Sequence, residues 1–440
     1  MPMPDAYRFQ TEAELTRDQW WKDFDSPTLD QLIDEALSQA PDIRVARARL
    51  DQAWSTAART GSQLYPTMGA NADATSAWSK PEGQSVTRTE KYGLGLAASY
   101  ELDLWGRVRA VRQADMLAAT AGVQDLHTAA LTLTGEIVEA WIALCSVRQQ
   151  QAVIRAQQET NADILSSLEL RFANSLTSAL DILQQREAMA QIDALLPPLR
   201  AEAVRLENRI ALLLGKTPGS PDLSAADRLP SPLPMPVTGL PSDLLQHRPD
   251  IQSQWLRLAE AGWDLAAAKA DRLPAVRLSG KFEHSGAEIS RIFDNWAGNL
   301  AAALTAPLFD GGLRRAEVRR QEAIRTERLA LYEKTVFAAL AEVDTALSST
   351  LRQMDLLRAL DTQHDAARQA LDSAMIRYQN GILGYDTTLS LLLKLQQLER
   401  TRVQARATLL TRQAGLCRAL GKGWRDTVSL TLSDHNTDLP

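Results

Sequence analysis

Five histidines, two cysteines and a Gly-Lys-Thr triplet are the residues of this 440-residue chain with the most ready chemistry. His127, His247, His284, His364 and His435 are scattered, with no Cys, Asp or Glu at ligand spacing, so no metal site is expected and each histidine reads as a surface or packing residue. Cys145 and Cys417 stand far apart in apolar, helix-favouring surroundings without a CxxC pair, and read as buried small hydrophobes. "LLLGKT" (212–217) imitates the end of a phosphate-binding loop, but Ile210 holds the place of its first glycine and a helical pattern precedes it instead of a strand. No acid/base pair can be assembled, so neither catalysis nor a cofactor is expected. The polar residues worth following lie instead in "SYELDLWGRVRA" (99–110), where Glu101 and Asp103 alternate with Tyr100, Leu102 and Leu104 before Trp105-Gly106 opens a helical run. A similar strand ending, "TAPLFDGGLRRA" (305–316), meets a similar arginine-bearing helix start through Asp310, Gly311 and Gly312.

A hydrophobic content of 45% permits substantial cores, and a net charge of −6 without a Lys/Arg block excludes the electrostatic footprint of nucleic-acid binding. No uncharged apolar run approaches the ~18 residues of a membrane helix, and "MPMPDAYRFQ" has neither the basic start nor the apolar core of a signal peptide. By these tests alone the chain reads as soluble and cytoplasmic.

The elements that must carry these residues are written twice. "APDIRVARARLDQA" (40–53) matches "RPDIQSQWLRLAEA" (248–261), Pro41 facing Pro249 and Pro66 facing Pro274 at an offset of 208. "RFANS" (171–175) faces "RYQNG" (377–381), and Leu214-Gly215-Lys216 faces Leu420-Gly421-Lys422, at an offset of 206. The chain is therefore a tandem repeat: residues 1–216, a Pro-rich bridge 217–241 holding seven prolines, 242–423, and a C-terminal segment 424–440, equatorial or disordered. Each repeat runs helix, two strands, two long helices. Helical periods cover 29–62 and 242–272, and the strands are expected at about 66–79, 91–104, 275–285 and 295–309. Long helices follow at about 107–173, 179–214, 313–378 and 385–420, with Pro197-Pro198 interrupting the second. Leu133, Ile137, Trp141 and Leu144, like Val336, Leu340, Val343, Leu347, Leu351 and Met354, form a narrow coiled-coil-like seam.

Strands apolar on one face and polar on the other suit either a small soluble sheet under helices or a barrel in lipid. Their length matches the ~9–11 residues that cross a bilayer in a tilted barrel, and Trp78, Tyr92, Tyr100 and Trp296 sit near their ends like interfacial aromatics. Four strands cannot close a barrel, so a spanning chain must oligomerise; two copies give a filled eight-stranded barrel, three give twelve strands and room for a channel.

The duplicated plan, with "DLWGRVRA", "HRPDI", "APLFDGGLRRAE" and the paired "RFANS…LDIL" and "RYQNG" tips, resembles the outer-membrane factor family of TolC-like and OprM-like ducts, nearer the OprM-like lipoprotein branch, over nearly the whole chain. The resemblance implies a fold of mixed α and β, mainly α: a homotrimer with a twelve-stranded β-barrel in outer-membrane lipid, a periplasmic α-helical barrel, and a belt of N-terminal helices, bridge and C-terminal segment. It implies an exit duct that passes small toxic compounds, drugs or metal ions, with a periplasmic adaptor and an RND-type inner-membrane pump as partners, and it replaces the cytoplasmic reading with an outer-membrane one. Members of this branch carry a lipid on an N-terminal cysteine; none stands near Met1, so signal and anchor are expected to have been removed. The duct of a type I protein-secretion system uses the same architecture, and a soluble helical scaffold is the reading from a different class.

Carried onto this chain, the family's periplasmic latch places a constraint tyrosine on Tyr378 and its aspartate partner on Asp181. The latch arginine falls on Leu383, and the acidic gate positions fall on Thr387 and Ser390, beside which Asp386 could supply an acidic ring. Arg171, Asn174, Arg377, Asn380 and Gly381 frame the tips as candidates for adaptor contact or simply for turn formation. Glu101, Asp103, Trp105, Gly106, Asp310, Gly311 and Gly312 mark the junction of barrel and tunnel, with Glu101 and Asp103 expected to face the lumen.

Overall fold

The computed structural model describes residues 6–7, 19–224, 226–236 and 239–423. The expected C-terminal segment 424–440 lies outside them. In chain order the elements are α1 (Pro27–Gln39), α2 (Pro41–Ser62), β1 (Thr67–Ser79), β2 (Thr87–Leu102), α3 (Arg107–Ala173), α4 (Ala179–Asp193), α5 (Leu196–Leu213), the short α6 (Leu244–His247), α7 (Pro249–Ala270), β3 (Ala275–Gly286), β4 (Trp296–Thr305), α8 (Leu313–Gln379) and α9 (Tyr385–Ala419). The fold is thus mainly helical with one small sheet, the class expected.

Prolines set several boundaries. The helical period of 29–62 divides into α1 and α2, because Pro41 has no N–H to continue the ladder and holds Ala40 extended at ψ 140°. Pro197 is accommodated in the first turn of α5, where its missing donor costs nothing, so the return path of the first repeat breaks at Ala194–Leu195. The corresponding α9 of the second repeat has no proline and runs unbroken.

The four strands form one antiparallel sheet in the order β1-β2-β3-β4. β2 starts at Thr87, four residues before the alternation becomes apolar, because Thr87–Lys91 pair with Ser79–Thr75 of β1 whatever their polarity. β4 stops at Thr305 rather than 309: its partner β3 begins only at Ala275, and Pro307 cannot donate to a ladder. Leu308 and Phe309 leave the sheet and are 95% and 94% exposed.

Each half ends its last helix in the same way. Gly215 and Gly421 adopt φ +70° in Schellman caps, with Lys216 N–H donating to Ala211 O (2.8 Å) and Lys422 N–H to Cys417 O (3.1 Å). A Cβ on Gly215 would lie 2.5 Å from Pro41 Cδ, and one on Gly421 2.6 Å from His247 O, so both glycines let a helix end abut the backbone leading into a repeat's "PDI" segment. Gly215 is therefore a helix stop and not part of a phosphate loop.

Among the described residues, two compact units draw on both repeats: one takes those up to Arg47, Asp125–Ile251 and Thr335–Gly423, the other Ala48–Gln124 and Gln252–Lys334. In the first, Trp20, Trp21, Phe24 and Trp141 pack with ring centroids 6.0–6.3 Å apart. Along α8 in the same unit, Val336, Ala339, Val343, Leu347 and Thr350 form a buried seam at spacings of three and four. One 18-residue window of α3 is apolar enough to cross a membrane, with mean hydropathy 1.5, yet 78% of it is buried within the chain, as in a core helix.

Candidate functional site

Three features built from these elements bear on function: the walls of the sheet, the strand-to-helix junctions, and the hairpin tips. Residues paired directly across strands share a face. One face carries Met68↔Ala98, Leu94↔His284↔Trp296, Leu96↔Phe282 and Tyr100↔Leu278, with Leu300 and Leu304 on β4. Met68, Trp78, Leu94, Leu96, Phe282, Trp296, Leu300 and Leu304 are all exposed, an apolar wall far beyond scattered surface leucines. Phe282 stacks on Trp296 at 5.8 Å, and Arg88 lies 5.6 Å above Trp78.

The other face is polar and flat. Asn71 donates to Asp73 at 3.3 Å, Thr67 and Ser99 share a hydroxyl bond of 3.0 Å, and Lys281 pairs with Glu283. A Cβ on Gly93 would lie 2.7 Å from the Asp73 carboxylate and one on Gly95 2.9 Å from Asn71 Oδ1, so these glycines make room for polar side chains lying across the neighbouring strand. Glu101 is held between Arg107 (2.7 Å) and Arg277 (3.5 Å).

At the first junction, Asp103 is only 9% exposed in its side chain and accepts the N–H groups of Val108 (3.0 Å) and Arg109 (2.9 Å) and the Arg109 Nε (3.1 Å). It anchors the first turn of α3, its charge spent on helix donors and a guanidinium. Burial alone would raise its pKa, but these bonds outweigh burial and hold it below the ordinary carboxylate value. Trp105 donates its indole N–H to Pro274 O at 2.7 Å, tying the junction to the residue before β3, and Gly106 turns the chain at φ +72°. The second junction uses the same logic with different parts. Asp310 accepts from Gly312 N (2.9 Å) and Arg314 N (3.3 Å), Gly311 and Gly312 take φ +64° and +89°, and Arg314 Nε reaches Asp271 at 2.9 Å.

At the tips, α3 and α8 both end in Schellman caps. Asn174 and Asn380 turn their side-chain amides back to Leu170 O and Ile376 O, each at 2.8 Å. Gly381 takes φ +72°, whereas its counterpart Ser175 takes φ +60° with a side chain. A left-handed non-glycine residue costs about 1 kcal/mol. Ser175→Gly is therefore expected to stabilise the tip by roughly 0.5 kcal/mol after the glycine's unfolded-state entropy is counted; a lower unfolding midpoint for Ser175→Gly would mean that the serine is held there by something else.

The expected Tyr378–Asp181 bond is replaced by a relay. Tyr378 Oη lies 3.4 Å from Thr177 Oγ1, and Thr177 donates to Asp181 Oδ2 at 2.5 Å. Asp181 also accepts Ser178 N–H at 3.1 Å while Ser178 Oγ accepts Asp181 N–H, a capping box that starts α4. Burial acts to raise the Asp181 pKa, but the bonds from Thr177 and Ser178 hold it below the ordinary value. The Arg171 guanidinium sits 4.9 Å over the Tyr378 ring, while Arg377 is exposed. Leu383 is half-buried; Asp386, Thr387 and Ser390 are exposed in the first turns of α9, Ser390 Oγ donating to Asp386 O at 2.8 Å. Thr177, Gln185 and Tyr385 are the tip residues that periodicity does not pick out. The available signal is a polar residue, Gln185, on the stripe of α4 that also buries Ala188 and Ile192.

A family model described as outer membrane efflux protein matches residues 32–216 and 240–422. The chain is 32% identical over 417 residues to the pyoverdine export outer membrane protein OpmQ of Pseudomonas aeruginosa, covering 92% of this chain and 88% of that protein. It is 28% identical to the toluene efflux pump outer membrane protein TtgF of Pseudomonas putida, covering 97% and 89%. The solved structure of the outer-membrane channel OprN superimposes with a TM-score of 0.88 at 30% identity, over 96% of this chain and 98% of that one. A two-faced sheet continuing through paired junctions into 67-residue helices, with this match along almost its whole length, means that the chain belongs to the outer membrane efflux protein family and is an outer-membrane exit duct for efflux.

Proposed function

We propose that three copies of this chain assemble into one conduit that conducts small compounds passively and performs no chemistry on them. The observation that carries this reading is the four-stranded sheet with β1 and β4 as its edges: its apolar face calls for lipid, and lipid tolerates no open strand edge. Three copies give twelve strands, enough to leave a polar lumen, whereas two would give a barrel filled by its own side chains. The long helices, about 100 Å each at 1.5 Å per residue, carry the lumen onward as a periplasmic tunnel. The N-terminal helices and the bridge 217–241 form a belt around it.

The tips meet a periplasmic adaptor through Arg171, Asn174, Arg377, Asn380 and Gly381, and an RND-type inner-membrane pump supplies the cargo. Three copies of Asp386 ring the mouth and favour cations there. Relatives named for pyoverdine and for toluene support a duct with little selectivity of its own, discrimination resting with the pump. Detergent-purified protein is expected to run as a trimer and to give discrete conductance steps in planar bilayers. A monodisperse monomer that stays soluble without detergent would refute the proposal.

A further inference from the structure

A short, buried bond between the two helix hairpins lies one turn inside the tips. Tyr385, in the first turn of α9 and 5% exposed, donates its hydroxyl to Gln185 Oε1 on α4 at 2.6 Å. Gln185 is fully buried, and its amide nitrogen donates to Asn161 O (2.8 Å) and Oδ1 (3.0 Å) on α3. Asn161 in turn donates to Gln157 O at 2.7 Å, and the Gln157 side chain donates to Gln396 O (3.0 Å) and Glu399 Oε2 (2.7 Å) on α9 while accepting from Arg400 at 2.5 Å. A buried polar ladder therefore stitches α9 to both helices of the first hairpin. Leu168, Ala188, Leu389 and Leu392 pack beside Tyr385 and exclude water from its upper end, and the Tyr378 ring lies 5.5 Å away. Burial raises the Tyr385 pKa far above the physiological range, so the phenol always has its proton to donate.

We infer that Tyr385, bonded to Gln185, is the positioning residue that latches the two hairpins of each protomer, and that this bond must break for the periplasmic mouth to widen. The inference rests on the duct reading above. Widening requires the α8–α9 hairpin to part from α3–α4. The Tyr378–Thr177 contact, long at 3.4 Å and half-exposed, exchanges for water at little cost. Parting Tyr385 from Gln185 leaves a phenol and an amide oxygen unpaired where no water is at hand, and that asymmetry makes the inner bond the one that holds.

The test compares the wild-type trimer with Tyr385→Phe, Tyr378→Phe, Gln185→Leu and Leu389→Ala in planar bilayers, trimer formation being checked first by gel mobility. Tyr385→Phe and Gln185→Leu are expected to raise the occupancy of the wide conductance level about tenfold, and Tyr378→Phe by less than about threefold. Leu389→Ala trims the packing beside Tyr385 while leaving the bond intact and is expected to stay closed, which separates loss of the bond from loss of packing. Opening by Leu389→Ala equal to that of Tyr385→Phe, or opening by Tyr378→Phe that matches Tyr385→Phe, would overturn the assignment. Inserted trimers of wild type and every variant that never conduct would instead refute the duct itself.

Discussion

Leu96→Arg is expected to abolish membrane insertion, while Ser99→Arg, three residues along the same strand, is expected to spare it. Leu96 lies mid-strand on the apolar wall, paired with Ala70 and Phe282, and a lipid-facing arginine at the bilayer midplane costs about 2–4 kcal/mol. In the proposed trimer, threefold repetition raises the total to roughly 6–12 kcal/mol, comparable with the whole stability of an ordinary domain. Ser99 sits on the opposite wall, between Thr67 and Ser279, where an arginine meets water and polar neighbours. The measurement is the fraction of each variant that floats with lipid vesicles and keeps its folded mobility in an unheated gel. Equal recovery of the two variants would mean that the Leu96 wall does not face lipid.

The second large effect belongs to Arg248 of the "RPDI" motif. Its guanidinium forks onto Asp250 (3.0 and 2.8 Å), reaches Glu342 of α8 at 2.6 Å, and caps Ala419 O at the end of α9 at 3.0 Å, with its side chain only 13% exposed. Burial acts to lower its pKa, but the bonds to Asp250 and Glu342 outweigh that and hold it above the ordinary arginine value. Arg248→Met keeps much of the packing volume but leaves two carboxylates facing each other and a helix end uncapped. Removing one partner of a buried pair costs about 3–5 kcal/mol, which partial exposure of Asp250 and Glu342 reduces to roughly 2–4 kcal/mol. Denaturant unfolding in detergent, followed through the buried Trp20, Trp21 and Trp141 of the same unit, should show this as a lower midpoint. Arg352→Met, which breaks an exposed pair with Asp355 in that same unit, should leave the midpoint nearly unchanged. Equal shifts for the two variants would show that the Arg248 network is no more structural than a surface pair. The first repeat has Ala40 where the second has Arg248, so the repeats are fastened by different means despite their shared glycine stops.

Local physics made the repeating elements legible. Alternation with a period of two names the strands, three-and-four spacing names α3 and α8, and Pro41 and Pro197 break helices because the defect they carry is covalent. The duplicated motifs were enough for the family and for the fold class. Other features depend on partners distant in the chain, which periodicity does not record. β2 extends back to Thr87 because β1 is there to pair with it, and β4 ends at Thr305 because β3 has not yet begun. β2 joins β3 across more than 170 residues of intervening helices, and that one pairing turns two hairpins into a single wall.

The same division holds at the sites. The family latch could be carried onto Tyr378 and Asp181 by alignment, but packing routes Tyr378 to Thr177 and commits Asp181 to starting α4. Asp103 has the spacing of a polar wall residue and is instead consumed by the first turn of α3, since a strand that runs straight into a helix must satisfy that helix's free N–H groups with whatever carboxylate stands nearest. Tyr385, Gln185 and Asn161 carry no shared spacing at all. What the sequence determined by itself is therefore the set of elements, their duplication and their two-faced character, each a property of neighbours along the chain. The tertiary structure alone decided which polar groups meet, because a buried hydrogen bond is set by the packing of helices whose contacting residues lie as far apart as 239 positions.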